Sequence, residues 1–204
     1  MSDVVVGDDG LARCGWGVSP PEMRAYHDDE WGRPVGDDAR VYEKLCLEGF
    51  QAGLSWLTIL RKREGFRKAF AQFDPAVVAG FGVADIERLT ADAGIVRNRA
   101  KIVATITNAR ATIALRDQGT SLAALVWRYR PASSGGPRAM SELAATTPES
   151  KALSTALRQH GFAFVGPTTV YSAMQSLGVV NDHLRGCHWR DVVDAERGQF
   201  AIPA

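Results

Sequence analysis

The chain has 204 residues, 46% hydrophobic and 23% charged, a balance that excludes intrinsic disorder and fibrous classes and leaves enough apolar side chains to bury a core. With 24 basic against 23 acidic side chains the formal net charge is +1, so a uniformly basic, polyanion-coating surface is excluded and any such contact requires a local patch. Three cysteines are too few, and odd in number, for a disulfide framework, which predicts a reducing compartment.

Val4, Val5 and Val6 stand between acidic residues without a basic leader or a long apolar run, so residues 1–12 read as a loose tail and the expected location is cytoplasmic. No stretch reaches membrane-spanning length, which predicts no membrane partner. Apolar residues recur at helical spacing from Asp37 to Gly53, with Asp37 or Asp38 as N-cap and Gly53 as stop. A second helix is predicted from Ser55, a capping residue, to Phe70, and Asp74-Pro75 opens a short third one. Ala84 to Ala93 and Arg97 to Asp117 are helical in period and separated only by Gly94-Ile95-Val96, which predicts a tight helical hairpin. Pro131 to Pro137 has the composition of a surface loop. Glu149 to His160 and Thr168 to Leu177 complete the predicted helices, and the apolar period fades from Arg190 to Ala204, which reads as a second tail. Alternating strand patterns are lacking, so an all-α fold is expected.

Cys14 and His27 are separated by twelve residues, and His183 and Cys187 by three. Two sulfurs and two imidazoles suit tetrahedral zinc, and the short gap would put His183 and Cys187 one turn apart on a helix. On spacing alone the same residues read more readily as two partly buried cysteines and two unrelated histidines, and His188, beside Cys187, is an alternative ligand.

On the first predicted helix Val41, Leu45, Glu48 and Ala52 fall on one stripe, which sets Glu48 at the edge of the apolar face. An ordinary surface pair with Lys44 would account for it. The alternative draws on Trp16, Tyr26, Trp31 and Trp56 nearby in sequence: a carboxylate among electron-rich rings would bind a flat, cationic, hydrogen-bond-donating ligand. Core filling is the competing fate of these rings, and it is the reading kept for Trp31.

Cys14-Gly15-Trp16, the run from Tyr26 to Gly32 and the run from Leu47 to Trp56 resemble the 3-methyladenine DNA glycosylase I family. Phe73-Asp74-Pro75, Asp92 to Ile95, Phe164 to Thr168 and Asn181-Asp182-His183 extend the resemblance, in order, over about residues 13–187. It implies a helix-hairpin-helix glycosylase fold, with one domain at 13–189 between the two tails and the hairpin at about 84–117. It also implies one structural zinc joining the chain ends through Cys14, His27, His183 and Cys187. The base pocket falls by position on Trp16, Tyr26, Glu48 and Trp56, with Ser172 nearby. Met23 stands where some relatives carry an aromatic residue, and the 133–137 loop is a departure expected to lie far from the motif residues.

The implied activity is hydrolytic release of 3-methyladenine from double-stranded DNA containing alkylated adenine, with Glu48 as the catalytic carboxylate and free 3-methyladenine as product ligand. A monomer without lyase activity is expected, since the matched pocket motifs hold no lysine for Schiff-base chemistry. In that context backbone N–H groups of Gly94, Ile95, Val96 and Arg97 would grip a phosphate at the positive end of a helix, with Arg97, Arg99 and Lys101 adding charge. The plain alternative for those three is a solvated helix face.

Overall fold

The computed structural model describes residues 3–132 and 135–203. Ser133 and Ser134, within the loop expected at 131–137, lie outside the described residues, as do Met1, Ser2 and Ala204. The fold is mostly helical, and no helix among the described residues is long and apolar enough to cross a membrane.

The expected loose N-terminal tail is instead half of a two-stranded antiparallel ribbon, in which β1 (Val4–Val6) pairs with β2 (Ala12–Cys14). Three-residue strands are too short for period-2 alternation to stand out, and side chains beyond the ribbon hold it. Arg13 is buried and donates through Nε to both Asp28 oxygens at 2.9 Å, while its Nη2 meets Asp9 at 2.8 Å. A turn of 3-10 helix (Gly15–Gly17) leads into α1 (Pro21–Asp29), which the periodicity reading did not predict. Its start was signalled by Pro21 at the first helical position and Glu22 in the first turn.

α2 (Asp38–Gln51) and α3 (Trp56–Ala69) begin where expected, because Asp37 accepts the Arg40 N–H and Ser55 accepts the Thr58 N–H. α2 is the central helix, and every residue from Val41 to Phe50 is buried. It packs on α3, on α9 (Pro167–Ser176) and on α6 (Arg99–Asp117). Phe50, Phe66, Phe70 and Phe73 form a ring ladder in this core, with neighbouring centroids 4.6, 6.4 and 5.6 Å apart. Fully burying one such ring is worth about 1.5–3 kcal/mol. α4 (Pro75–Ala79), α7 (Leu122–Trp127) and α8 (Pro148–Gln159) close the remaining faces; α7 is buried throughout, so it lacks the polar face that would have revealed its period.

The hairpin pairs α5 (Val83–Ala91) with α6, but its connection runs over 92–98 and not over Gly94-Ile95-Val96 alone. Asn98 accepts the Lys101 N–H and so caps α6, which shortens the expected helix at its start. The turn docks tightly: a Cβ on Gly65 would lie 2.5 Å from the Gly94 carbonyl oxygen, and Lys62 Nζ donates to Ala93 O at 2.7 Å.

The expected C-terminal tail is also ordered, as α10 (His188–Gln199). Only Val193 and Arg197 of this helix are buried, so there was almost no apolar stripe to read. Hydrogen bonds anchor it: Arg197 donates to Gly178 O at 2.7 Å and to Val179 O at 3.0 Å, and Arg33 pairs with Glu196.

Candidate functional site

The chain ends meet at a buried Cys14, His27, His183 and Cys187 cluster, whose ligand atoms all lie within 4.8 Å of one another. Cys187 Sγ is 3.6 Å from His27 Nε2 and 3.5 Å from His183 Nδ1, and Cys14 Sγ is 3.9 Å from His183 Nδ1. The edges of a tetrahedron with zinc–sulfur and zinc–nitrogen bond lengths are roughly 3.3–3.8 Å, so the donor set approaches the size of a tetrahedral site and is slightly wider than one. His183 and Cys187 do not share a helix; they flank a turn before α10, and His188 is exposed and outside the cluster.

The histidine tautomers follow from their outer partners. The Trp31 carbonyl can only accept, so His183 Nε2 carries the proton at 3.1 Å and Nδ1 faces the sulfurs bare. His27 Nδ1 donates to Asp28 Oδ1 at 2.8 Å, which frees Nε2 in the same way. Gly17 permits this approach, since a Cβ there would come within 2.4 Å of the His27 ring. The cluster thus presents two bare nitrogens and two thiols, with no residue beyond the four offering a further ligand atom among the described residues.

Beside this staple opens a slot of about 390 Å³. Trp16, Tyr26, Glu48, Trp56 and Ser172, from five separate parts of the chain, all line it, as does Met23. Tyr26 and Trp56 are 5.1 Å apart between centroids at 44°, and Trp16 stands 6.5 Å from Tyr26. Trp16 also meets the edge of the His27 ring at 5.0 Å, so the staple and the slot share a wall. Trp31, expected as a core filler, is 8% exposed yet lines the slot and packs edge-on against Trp16 at 4.9 Å.

Glu48 is 5% exposed and its side chain ends in the slot wall. Burial pushes its carboxyl up to about 8, against the opposing influence of the Lys44 charge and the Ser176 hydroxyl. The expected surface pair with Lys44 is not what the structure holds: Lys44 is itself buried, behind the slot, with its ammonium 5.5 Å from the Tyr26 ring centroid. Burial also raises the Tyr26 hydroxyl well above its ordinary value, with the Glu48 charge adding to the effect.

Sequence reasoning missed the opposite wall. Thr168, Tyr171 and Gln175 of α9 line it with Ser172, and Gln51 extends the α2 side. Met140, Leu143, Ala144 and Ala145 complete it, from a segment just after the 133–137 loop that sequence reasoning had not placed at the site. Only the helical period of α9 could have grouped Thr168, Ser172 and Gln175 on one face.

The hairpin residues divide. Arg97 and Arg99 are exposed at the start of α6, and the N–H groups of Val96 and Arg97 have no acceptor among the described residues. Gly94 and Ile95 do not fit the expected phosphate grip: the Gly94 N–H is given to Asp92 Oδ1 at 2.7 Å, and Ile95 is buried with its N–H turned to the Asp92 carbonyl. Lys101 does not fit it either, because its ammonium is buried and donates to Phe50 O at 2.8 Å and Ala52 O at 2.6 Å, capping the end of α2.

A mostly helical body thus carries a slot walled by tryptophan and tyrosine rings, with a buried carboxyl in its side. The family model described as methyladenine glycosylase matches residues 16–191. DNA-3-methyladenine glycosylase 1 of Escherichia coli (strain K12) is 48% identical over 179 residues, covering 87% of this chain and 96% of that protein. Among solved structures, a 3-methyladenine DNA glycosylase I superposes with a TM-score of 0.83 at 46% identity, over 86% of this chain and 98% of that one. A variant of 3-methyladenine DNA glycosylase I in complex with 3-methyladenine gives the same TM-score at 33% identity, over 87% of this chain and 97% of that one. The chain belongs to the methyladenine glycosylase family.

Proposed function

We propose that this protein is a DNA-3-methyladenine glycosylase that hydrolyses the N-glycosidic bond of N3-alkylated adenine in duplex DNA, releasing the base and leaving an abasic site. The observation that carries this reading is the buried Glu48 carboxyl in the wall of an aromatic slot, in a chain whose relatives are named for that substrate. A base inside a duplex is out of reach, so the nucleotide is extruded, at a cost of a few kcal/mol in lost stacking. Trp16, Tyr26 and Trp56 receive the ring, with Ser172 and Met23 at the slot edge.

N3 alkylation makes the adenine cationic, so it departs as a neutral base carrying the electron pair of the broken bond. The sugar gains oxocarbenium character, water adds to its anomeric carbon and a proton goes to solvent. Glu48 accepts hydrogen bonds from the adenine edge, and a cation entering this low-dielectric slot favours its ionised form. Stabilising the charge-separated transition state is the main demand, because the leaving group is already activated.

The reaction is monofunctional in this reading. Lys44 stands behind Tyr26 and no lysine is among the described residues that line the slot, which argues against Schiff-base chemistry and strand cleavage. The α5–α6 pair serves as the helix-hairpin-helix element, with Val96, Arg97 and Arg99 on the DNA backbone. Cys14, His27, His183 and Cys187 would hold one zinc per chain; with four protein ligands the ion would supply a cross-link between the chain ends. We further assign a cytoplasmic monomer. Chromatography of the products from methylated duplex DNA tests the whole reading: free 3-methyladenine with an unbroken strand is expected, and DNA binding without base release overturns it.

A further inference from the structure

Tyr171 and Gln175 lie one turn apart on α9, both line the slot, and both are tied to a single carboxylate oxygen behind it. Tyr171 Oη donates to Asp182 Oδ2 at 2.6 Å and Gln175 Nε2 donates to the same atom at 2.7 Å. Asp182 is itself buried, at 8% exposure, with Tyr171 beside it in the wall of a neighbouring cavity, and its low exposure strengthens these bonds. A carboxylate accepts and cannot donate, so the amide of Gln175 has one admissible orientation: Nε2 toward Asp182 and Oε1 away from it. No described residue donates to that Oε1, and it is not among the buried atoms left without a partner, so it keeps solvent access on a residue that lines the slot. The single proton of Tyr171 is committed to Asp182 in the same way, which leaves lone pairs on its free side.

We propose that Gln175, held by Asp182, is a specificity-determining residue that presents a fixed hydrogen-bond acceptor to the extruded purine and so selects a 6-amino over a 6-oxo ring. This inference rests on the glycosylase reading above. An exocyclic amino group satisfies Oε1, whereas a carbonyl sets two acceptors against each other and leaves both desolvated without a proton. An amide free to turn would not discriminate, because it could offer Nε2 to the carbonyl. The discrimination therefore depends on Asp182, which never touches the base.

Duplex DNA carrying both 3-methyladenine and 3-methylguanine tests this, with single-turnover release of each base measured for the wild type, Gln175→Leu and Asp182→Asn. Gln175→Leu keeps the bulk and removes the acceptor; the ratio of adenine to guanine release is expected to fall by about tenfold or more, the factor a lost polar contact commands. Asp182→Asn supplies a donor at the same place, lets Gln175 turn its Nε2 into the slot, and is expected to raise 3-methylguanine release in absolute terms. Zinc content is measured on each variant, since Asp182 precedes a cluster residue. An unchanged ratio in both zinc-replete variants, or an equal fall for both bases, overturns the proposal. A wild type that releases neither base overturns the glycosylase reading, and this inference with it; release of 3-methyladenine with an unmoved ratio overturns this inference alone.

Discussion

Lys44 and Glu48 sit one turn apart on α2, both buried, and burial drives them to the same value from opposite sides: the ammonium down to about 8 and the carboxyl up to about 8. Burial favours the neutral form of each while their mutual attraction opposes it, and no ion pair joins them among the described residues. The neutral forms coexist near pH 8, so the helix carries two costly groups in place of one stabilising pair. Glu48 gains its proton more readily folded than unfolded. Its contribution to stability is therefore whole below about 4.5 and is lost as pH rises to about 8. Lys44 runs the other way, its contribution being whole above about 10.5 and lost as pH falls through about 8. Glu48→Gln is accordingly expected to be more stable than the wild type at pH 8, by on the order of 4 kcal/mol, and to match it at pH 4. Urea unfolding across that range measures it, and a Gln variant less stable than wild type at pH 8 contradicts the argument.

Excision should follow the same group with the opposite preference. A cationic base is held by the carboxylate form, so kcat/KM is expected to rise with pH and level off above about 8. Lys44 titrates in the same window, and the Tyr26 hydroxyl and Ser176 also face the carboxyl. Glu48→Gln separates them: the rise disappears with Glu48 if that carboxyl is responsible and persists at a lower level if Lys44 is. The prediction is a flat, low profile for the variant, at least tenfold below wild type at pH 8, the loss of about one charge-assisted hydrogen bond.

Zinc should be present at about one equivalent by elemental analysis of the purified protein. The outer partners give a finer test, because Asp28 fixes the His27 tautomer while being gripped by Arg13 of the ribbon. Asp28→Asn should weaken zinc by roughly 10- to 100-fold in chelator competition, with the four ligands untouched. Unaltered affinity would show that the His27 tautomer is not controlled from Asp28.

How much of this was legible in the sequence depends on what holds each part. Helices with an apolar stripe, a cap and a stop, such as α2 and α3, could be read directly, and so could Glu48 on the stripe edge. α10 and the β1–β2 ribbon could not, since guanidinium and carboxylate partners far away in the chain hold them: Arg197 on Gly178, Arg13 on Asp28. The slot shows the same division. Its motif residues could be grouped by family resemblance, while Tyr171 and Gln175 look like any half-polar helix face until Asp182 is placed behind them. Lys101 marks the limit of charge reading, because a lysine at a helix start looks the same whether it reaches outward to phosphate or inward to carbonyls.

That inward turn of Lys101 makes the basic residues of α6 separable by experiment. Arg97 and Arg99 are exposed, and each one that neutralises a phosphate adds about 0.9 to the slope of log binding constant against log salt. Alanine at either is expected to lower the slope by about that amount and leave the melting temperature within a degree or two. Lys101→Met should do the reverse, since it strips the Phe50 and Ala52 carbonyls of a charged donor at the end of α2. The stability loss is about 1–3 kcal/mol, and the salt slope stays where it was. Salt titrations of binding to an abasic-analogue duplex, paired with urea unfolding, read both quantities. A Lys101→Met variant of native stability with a reduced slope would return that side chain to the DNA, and the α2 end would then need another source for its hydrogen bonds.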